Sequence, residues 1–225
     1  MEPTLFILFG GVVAAVLVGS WVYKEFFSAR GRARRALRKA PRVPIAQAKD
    51  GEVAKLAGRL RLVDAPLTAP LTGRPCAYFR TMVEQQKSRG KSSYWDTIIE
   101  ESDFSARLVI EDGTGSALVE LTYPLVVLNM DTHLRSGFLN DATPELGTFL
   151  SRHGVSSQGW VFNKTLRYKE GALEEGEKVA VFGLCRREPD PDPQAGGGYR
   201  DRPMRLRVVD PPDGEMLISD EPETV

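Results

Sequence analysis

Apolar and polar positions alternate with period two along most of the chain. Leu56, Gly58, Leu60 and Leu62 fall on one side of a segment whose other side carries Lys55, Arg59 and Arg61, the signature of a half-buried strand. The clearest hairpin is "FSARLVIEDGTGSALVEL": Phe104, Ala106, Leu108 and Ile110 alternate, Asp112–Gly115 turns, and Ala117, Val119 and Leu121 alternate again. A phosphate-cradling glycine loop would need a helix after it, and a strand pattern follows instead. Further strands are expected at "CAYFRTMVEQQ", "YWDTIIEE", "WVFNKTLRYKE", "EKVAVFGLCRRE" and "PMRLRVVD". The polar "KSRGKSS" reads as a hairpin loop, "GALEEGE" as a turn, and "PDPDPQAGGGYRD" as a mobile loop. "APLTAPLTG" has two prolines four residues apart, which rules out a central strand or helix interior and leaves a stiff extended excursion. Only "TPELGTFLSRHG" breaks the alternation; its cap signal at Thr143, Pro144 and closing glycine predict a short helix at about 144 to 153. Short strands with one small helix argue for a mostly β domain, a small OB-like barrel or a sandwich.

One segment follows neither period. From Pro3 to Tyr23 there are 21 residues without a charge, long enough as a helix to cross about 30 Å of hydrocarbon. Trp21 and Tyr23 end the run, where aromatic rings favour the headgroups, and Lys24, Arg30, Arg32, Arg34 and Arg35 follow. A cleaved signal peptide would carry its charges on the other flank. The pattern predicts a single N-terminal transmembrane helix over 1–23, its N-terminus outside and the body cytoplasmic. A basic juxtamembrane neck or linker follows over 24–49, then a β domain over 50–210 and an acidic tail over 211–225, frayed beyond its central "MLI".

Composition sharpens that division. Thirty basic and thirty acidic residues cancel overall, but residues 1–42 hold eight basic residues against Glu2 and Glu25, so the neck is basic and the body acidic. A basic neck beside a membrane sets topology and has affinity for anionic lipid. Nucleic-acid binding would have to overcome the acidic body. Aromatics such as Tyr94, Trp95, Trp160 and Phe162 fit a core, with a base-stacking surface as the alternative.

The chemistry of a conventional active site is not visible. Cys76, Cys185, His133 and His153 are the only cysteines and histidines, none within twenty residues of another, so no metal site is expected. Cys185 continues the inward set Val179, Val181 and Gly183 and reads as a core thiol. Cys76 lies beside Arg74 but has no base placed by the sequence, which favours structure over nucleophile. No catalytic, cofactor-binding or metal-binding residue is assigned.

The order of the pieces "GRLRLVDAPLTAPLTGRPCAYFRTMVEQ", "DFSARLVIEDGTGSALVEL" and "LRYKEGALEEGEKVAVFGLC" resembles the GIDE family, the BAM ("beside a membrane") domain of mitochondrial E3 ubiquitin ligases. The motif positions fall on Gly58, Pro66, Pro70, Leu71, Pro75, Cys76 and Tyr78. They continue through Asp112, Thr114 and Gly115 to Glu170, Leu173, Gly176, Val179, Val181 and Gly183. The resemblance implies structural roles for these residues and a single-span form similar to prokaryotic relatives. The RING of the ligase members needs eight Cys/His ligands, and after Cys185 this sequence has no cysteine, so transferase activity of its own is not expected. The leading expectation is a non-catalytic module binding a protein partner or ligand at the membrane surface. The alternatives are an accessory to RING-type ubiquitin ligase systems and an OB-like nucleic-acid binder.

Overall fold

The computed structural model describes residues 28–90, 92–135, 144–154, 165–191 and 203–225. The protein is mostly β and is built as a closed barrel with a second sheet mounted on one end. The barrel strands are β1 (Val53–Leu62), β5 (Arg107–Glu111), β6 (Ser116–Glu120), β10 (Lys178–Pro189) and β11 (Met204–Val209). They close in the order β1-β5-β6-β11-β10 and back to β1; every pairing is antiparallel except β6 with β11.

Closure depends on β1 changing partner halfway. Its first part pairs with β10 and its last residues with β5, and Gly58 sits at the crossover. A Cβ there would lie 2.6 Å from the Glu111 carbonyl oxygen, so only glycine lets the backbones cross. The alternating apolar sets point inward as expected: Leu56, Leu60, Leu108, Ile110, Val119, Val179, Val181, Cys185 and Val208 are buried in one core.

The second sheet grows out of two long connections of the barrel. Between β1 and β5 lie β2 (Leu67–Thr68), β3 (Pro75–Arg89) and β4 (Ser92–Phe104); between β6 and β10 lie β7 (Leu125–Val127), β8 (Thr132–Arg135), α2 (Pro144–Arg152) and β9 (Leu166–Glu174). β3 is its axis, with β2 and β4 along one edge and β9, then β8, on the other. One face of this sheet, carrying Val83, Ile99, Leu166 and Tyr168, is covered by Phe149 and Leu150 of α2. The base of the opposite face, Tyr78 and Leu173, is buried in the barrel core.

Four expectations need correction. "KSRGKSS" is not an open loop: β3 and β4 stay paired to Arg89 and Ser92, and the chain reverses at Gly90, which takes φ 66°. "GALE" continues β9 with Gly171, Ala172 and Leu173 buried, so the turn shrinks to Glu175–Glu177. Lys55, placed on the solvent side by alternation, is only 7% exposed. The tail does not fray: β12 (Leu217–Ser219) joins β10 on one side and β7 on the other, with Met216 and Ile218 in the core and Thr224 buried.

The expected helix near 144 is α2. The stretches expected to hold the transmembrane helix (1–23) and most of the glycine-rich loop (192–202) lie outside the described residues, as do Trp21, Tyr23, Lys24, Trp160 and Phe162. Among the described residues no helix is long and apolar enough to cross a membrane.

Candidate functional site

Two junctions decide what the molecule can do: where the proline loop meets the second sheet, and where the basic neck meets the body.

At the first, the extended "APLTAPLT" path lays β2 against the start of β3, Leu67 opposite Cys76 and Thr68 opposite Pro75. The loop then turns through Pro70–Thr72 over a fully buried carboxylate, Glu170 of β9. Glu170 accepts from the backbone N–H of Leu71 at 2.7 Å and of Thr72 at 3.2 Å, and from the hydroxyls of Thr72 (2.5 Å) and Thr81 (2.9 Å). A buried carboxylate is tolerated only when its oxygens are met this fully. Arg74 seals the rim with a bidentate pair to Asp131 (2.7 and 2.9 Å) and a third bond to Glu174 at 2.7 Å. The hydrogen bond to Asp131 is the main cause that holds the guanidinium above its usual range.

Cys76 lies beneath this loop, buried with Ala69, Phe79 and Ala172. Burial, reinforced by Glu170 and Glu174, pushes its thiol up to about 11. The thiolate is the nucleophile, and this setting withholds it. Cys185, also buried and free, is likewise raised by burial. Both histidines are exposed: His153 Nε2 ties the end of α2 to Glu101 at 2.8 Å, and His133 lies on edge strand β8. Among the described residues no group of acidic, histidine and cysteine side chains could hold a metal ion.

The other motif residues are equally structural. Asp112 Oδ1 accepts from Thr114 N–H (2.8 Å), Thr114 Oγ1 (2.6 Å) and Gly115 N–H (3.2 Å), while Oδ2 accepts from Ile45 N–H at 2.9 Å. The hairpin turn therefore anchors the incoming chain. Gly176 supplies the positive φ of the β9–β10 turn, and a Cβ on Gly183 would lie 2.7 Å from Val208. The motif glycines, threonines and Glu170 thus shape and lock backbone rather than present reactive atoms.

At the second junction the neck is not a linker. Residues Ala29–Lys39 form helix α1, started by Ser28, whose hydroxyl accepts from Gly31 N–H at 3.0 Å. Ala33 and Leu37 are buried, Leu37 against Ala57 and Ala180 of the barrel. Arg34 forks onto Glu221 at 2.5 and 2.6 Å, and Arg38 pairs with Glu223. Lys55 donates to the Leu37 carbonyl at 2.9 Å, so its ammonium closes the helix C-terminus; burial and the nearby Arg42 lower its pKa. The expected lipid-facing arginines thus divide: Arg34 is spent on the body, Arg32 and Arg35 are also engaged, and Arg30 reaches Glu100 of β4 at 3.5 Å. Sequence could not show this pairing, because Arg34 and Glu221 are 187 residues apart and each looks like ordinary surface charge.

The chain matches no family model, and no curated protein matches it.

Proposed function

We propose that this chain is a membrane-anchored, non-catalytic binding module, its β body held rigidly beside the bilayer on the cytoplasmic side. The observation that carries the reading is α1: five residues after the 21-residue uncharged run comes a helix packed and ion-paired onto the barrel. A span joined by so short a connection to a docked helix leaves the body little freedom to swing. The inert settings of Cys76 and Cys185 support binding over chemistry. In the GIDE/BAM reading, support comes from the way Pro70, Leu71, Cys76 and Glu170, scattered in sequence, gather at one loop-to-sheet junction. Work alongside a separately encoded ubiquitin ligase remains the family-based form of this proposal.

We read the barrel as OB-like, since five strands close with Greek-key connections. In such barrels the second and third strands offer the nucleic-acid face. Here the outward residues of β5 and β6 are Arg107, Val109, Glu111, Ser116, Leu118 and Glu120, two carboxylates against one arginine and no aromatic ring. That face argues against the nucleic-acid alternative.

Carbonate extraction of membranes expressing the full chain tests the anchor. The protein should stay with the membrane, and Val13→Arg with Leu17→Arg should release it. Release of the unmodified chain overturns the reading. Crosslinking in cells followed by capture from detergent should then yield one stoichiometric partner that is lost with the anchor.

A further inference from the structure

We infer that the face of the second sheet opposite α2 is a docking surface for an anionic bilayer. This rests on the reading that residues 3–23 span the membrane. Strand register fixes which side chains share the face. Met82 lies level with Lys169 and Glu100, Glu84 with Arg167 and Thr97, Gln86 with Trp95, and β8 adds Arg135 opposite Arg167. The other face is closed by α2; among the described residues this one is buried at its base, where Tyr78 enters the barrel core, and at Glu84, beneath Arg167 and Lys169.

Its charge is lopsided. Arg30, Arg80, Arg135, Arg167 and Lys169 stand against Glu84 and Glu100. Glu84 is shared by Arg167 and Lys169, and Glu100 by Arg30 and Arg80, so each acid is already claimed twice. Arg135 is exposed, sits directly across from Arg167, and has no acidic partner among the described residues. Like charges placed opposite on a sheet are unfavourable unless something neutralises them. The Arg167 guanidinium lies 4.3 Å from the centre of the Trp95 ring, which places an interface-seeking indole beside an anion-binding fork.

Position selects the occupant. α1 begins beside this face, at the Arg30–Glu100 pair, and ends at the barrel, where Lys55 meets Leu37. The chain before it therefore leaves on the side of the second sheet. Seven Cα steps join Tyr23 to Arg30, so Arg30, at the edge of the face, cannot lie more than about 25 Å from the end of the apolar run, however those residues fold. Arg34 and Arg38 of the neck are paired within the body. Among the described residues, this sheet therefore carries unbalanced positive charge on the side where the chain leaves. Headgroup phosphates are the anions that guanidinium forks bind best.

The test uses the full chain with Trp21→Phe and Trp160→Phe, leaving Trp95 as the sole indole. It is reconstituted in phosphatidylcholine vesicles carrying a headgroup nitroxide, with or without about one-third phosphatidylglycerol. Quenching of Trp95 should be at least about two-fold stronger with phosphatidylglycerol, and about 0.5 M salt should remove the difference. Arg135→Glu, at an exposed position with no acidic partner among the described residues, should also remove it with the fold unchanged by circular dichroism. Equal quenching in both vesicles, or none, overturns the inference, as it would if the face served an acidic protein segment. Carbonate treatment of the same vesicles separates the two readings. A chain that resists extraction but shows no lipid-dependent quenching keeps its anchor and loses the docking face. A chain that is extracted yet was quenched does the reverse.

Discussion

The barrel and the second sheet solve the same packing problem by opposite means. The barrel is filled by aliphatic side chains from every strand. The second sheet has a smaller apolar cluster, and its base is fixed by Glu170 holding the proline loop and Arg74 holding Asp131 and Glu174. Apolar burial is graded, so a barrel residue can be trimmed at a cost that follows the area lost. The polar clamp is less graded, because removing Glu170 leaves the buried Leu71 N–H and Thr81 hydroxyl without an acceptor. The same chain thus joins a tolerant half to a brittle one.

Glu170→Ala should break the comparison most sharply. Four donors lose their acceptor, at a cost of about 3–4 kcal/mol in urea unfolding of the detergent-solubilised chain. Limited proteolysis should find the loop around Pro70 newly open while the barrel strands stay resistant. Leu37→Ala probes the graded side, at the helix–barrel contact. It should cost about 3 kcal/mol and free α1 for cleavage without exposing the loop. Gly58→Ala forces a methyl into the Glu111 backbone where β1 changes partner; about 2 kcal/mol should be lost, all of it from barrel stability.

The pH dependence sharpens the contrast at the point where tail and body meet. Asp220 accepts from Asn129 N–H at 2.7 Å, and burial pushes its carboxyl up to about 7. Such a group favours the folded state when protonated. Stability should therefore fall as pH rises from about 4 through about 7, by on the order of 2 kcal/mol from this site. Asp220→Asn keeps an acceptor for Asn129 and should flatten that slope in unfolding curves taken across the window. The smallest effect is expected at Tyr168. Its hydroxyl is buried in the apolar cluster under α2 without a hydrogen-bond partner among the described residues, and burial pushes it up to about 12. Tyr168→Phe should change the melting midpoint by the equivalent of about 0.5 kcal/mol or less, toward higher stability if anything.

What could be read from the sequence was the part governed by local period. The β5–β6 hairpin, the Asp112 turn, the inward run to Cys185 and α2 with Pro144 at its start all follow from neighbours within a dozen residues. What escaped depends on distant partners. Lys55 alternates like a surface residue but closes a helix by bonding a carbonyl 18 residues before it. β12 hides in an acidic stretch because three residues suffice when β10 and β7 supply both edges. The length of the β3–β4 hairpin escaped because its tip is polar on both faces, leaving no period to see. At the proline loop the residue types signalled rigidity, but nothing near them in sequence pointed to Glu170 as the anchor.

The pairing of Arg34 with Glu221 also places events in time. The arginines of α1 leave the ribosome first, and Glu221 follows only after all five barrel strands, since β12 must lie between β10 and β7 to present it. If the apolar run inserts as proposed, those arginines stand without Glu221 and Glu223 beside it during insertion, which is when charge decides the side on which a loop is retained. Once the barrel closes, Glu221 takes up Arg34 and Glu223 takes up Arg38. Under the proposed anchor, one set of residues would orient the nascent chain and afterwards fasten α1 to the finished body.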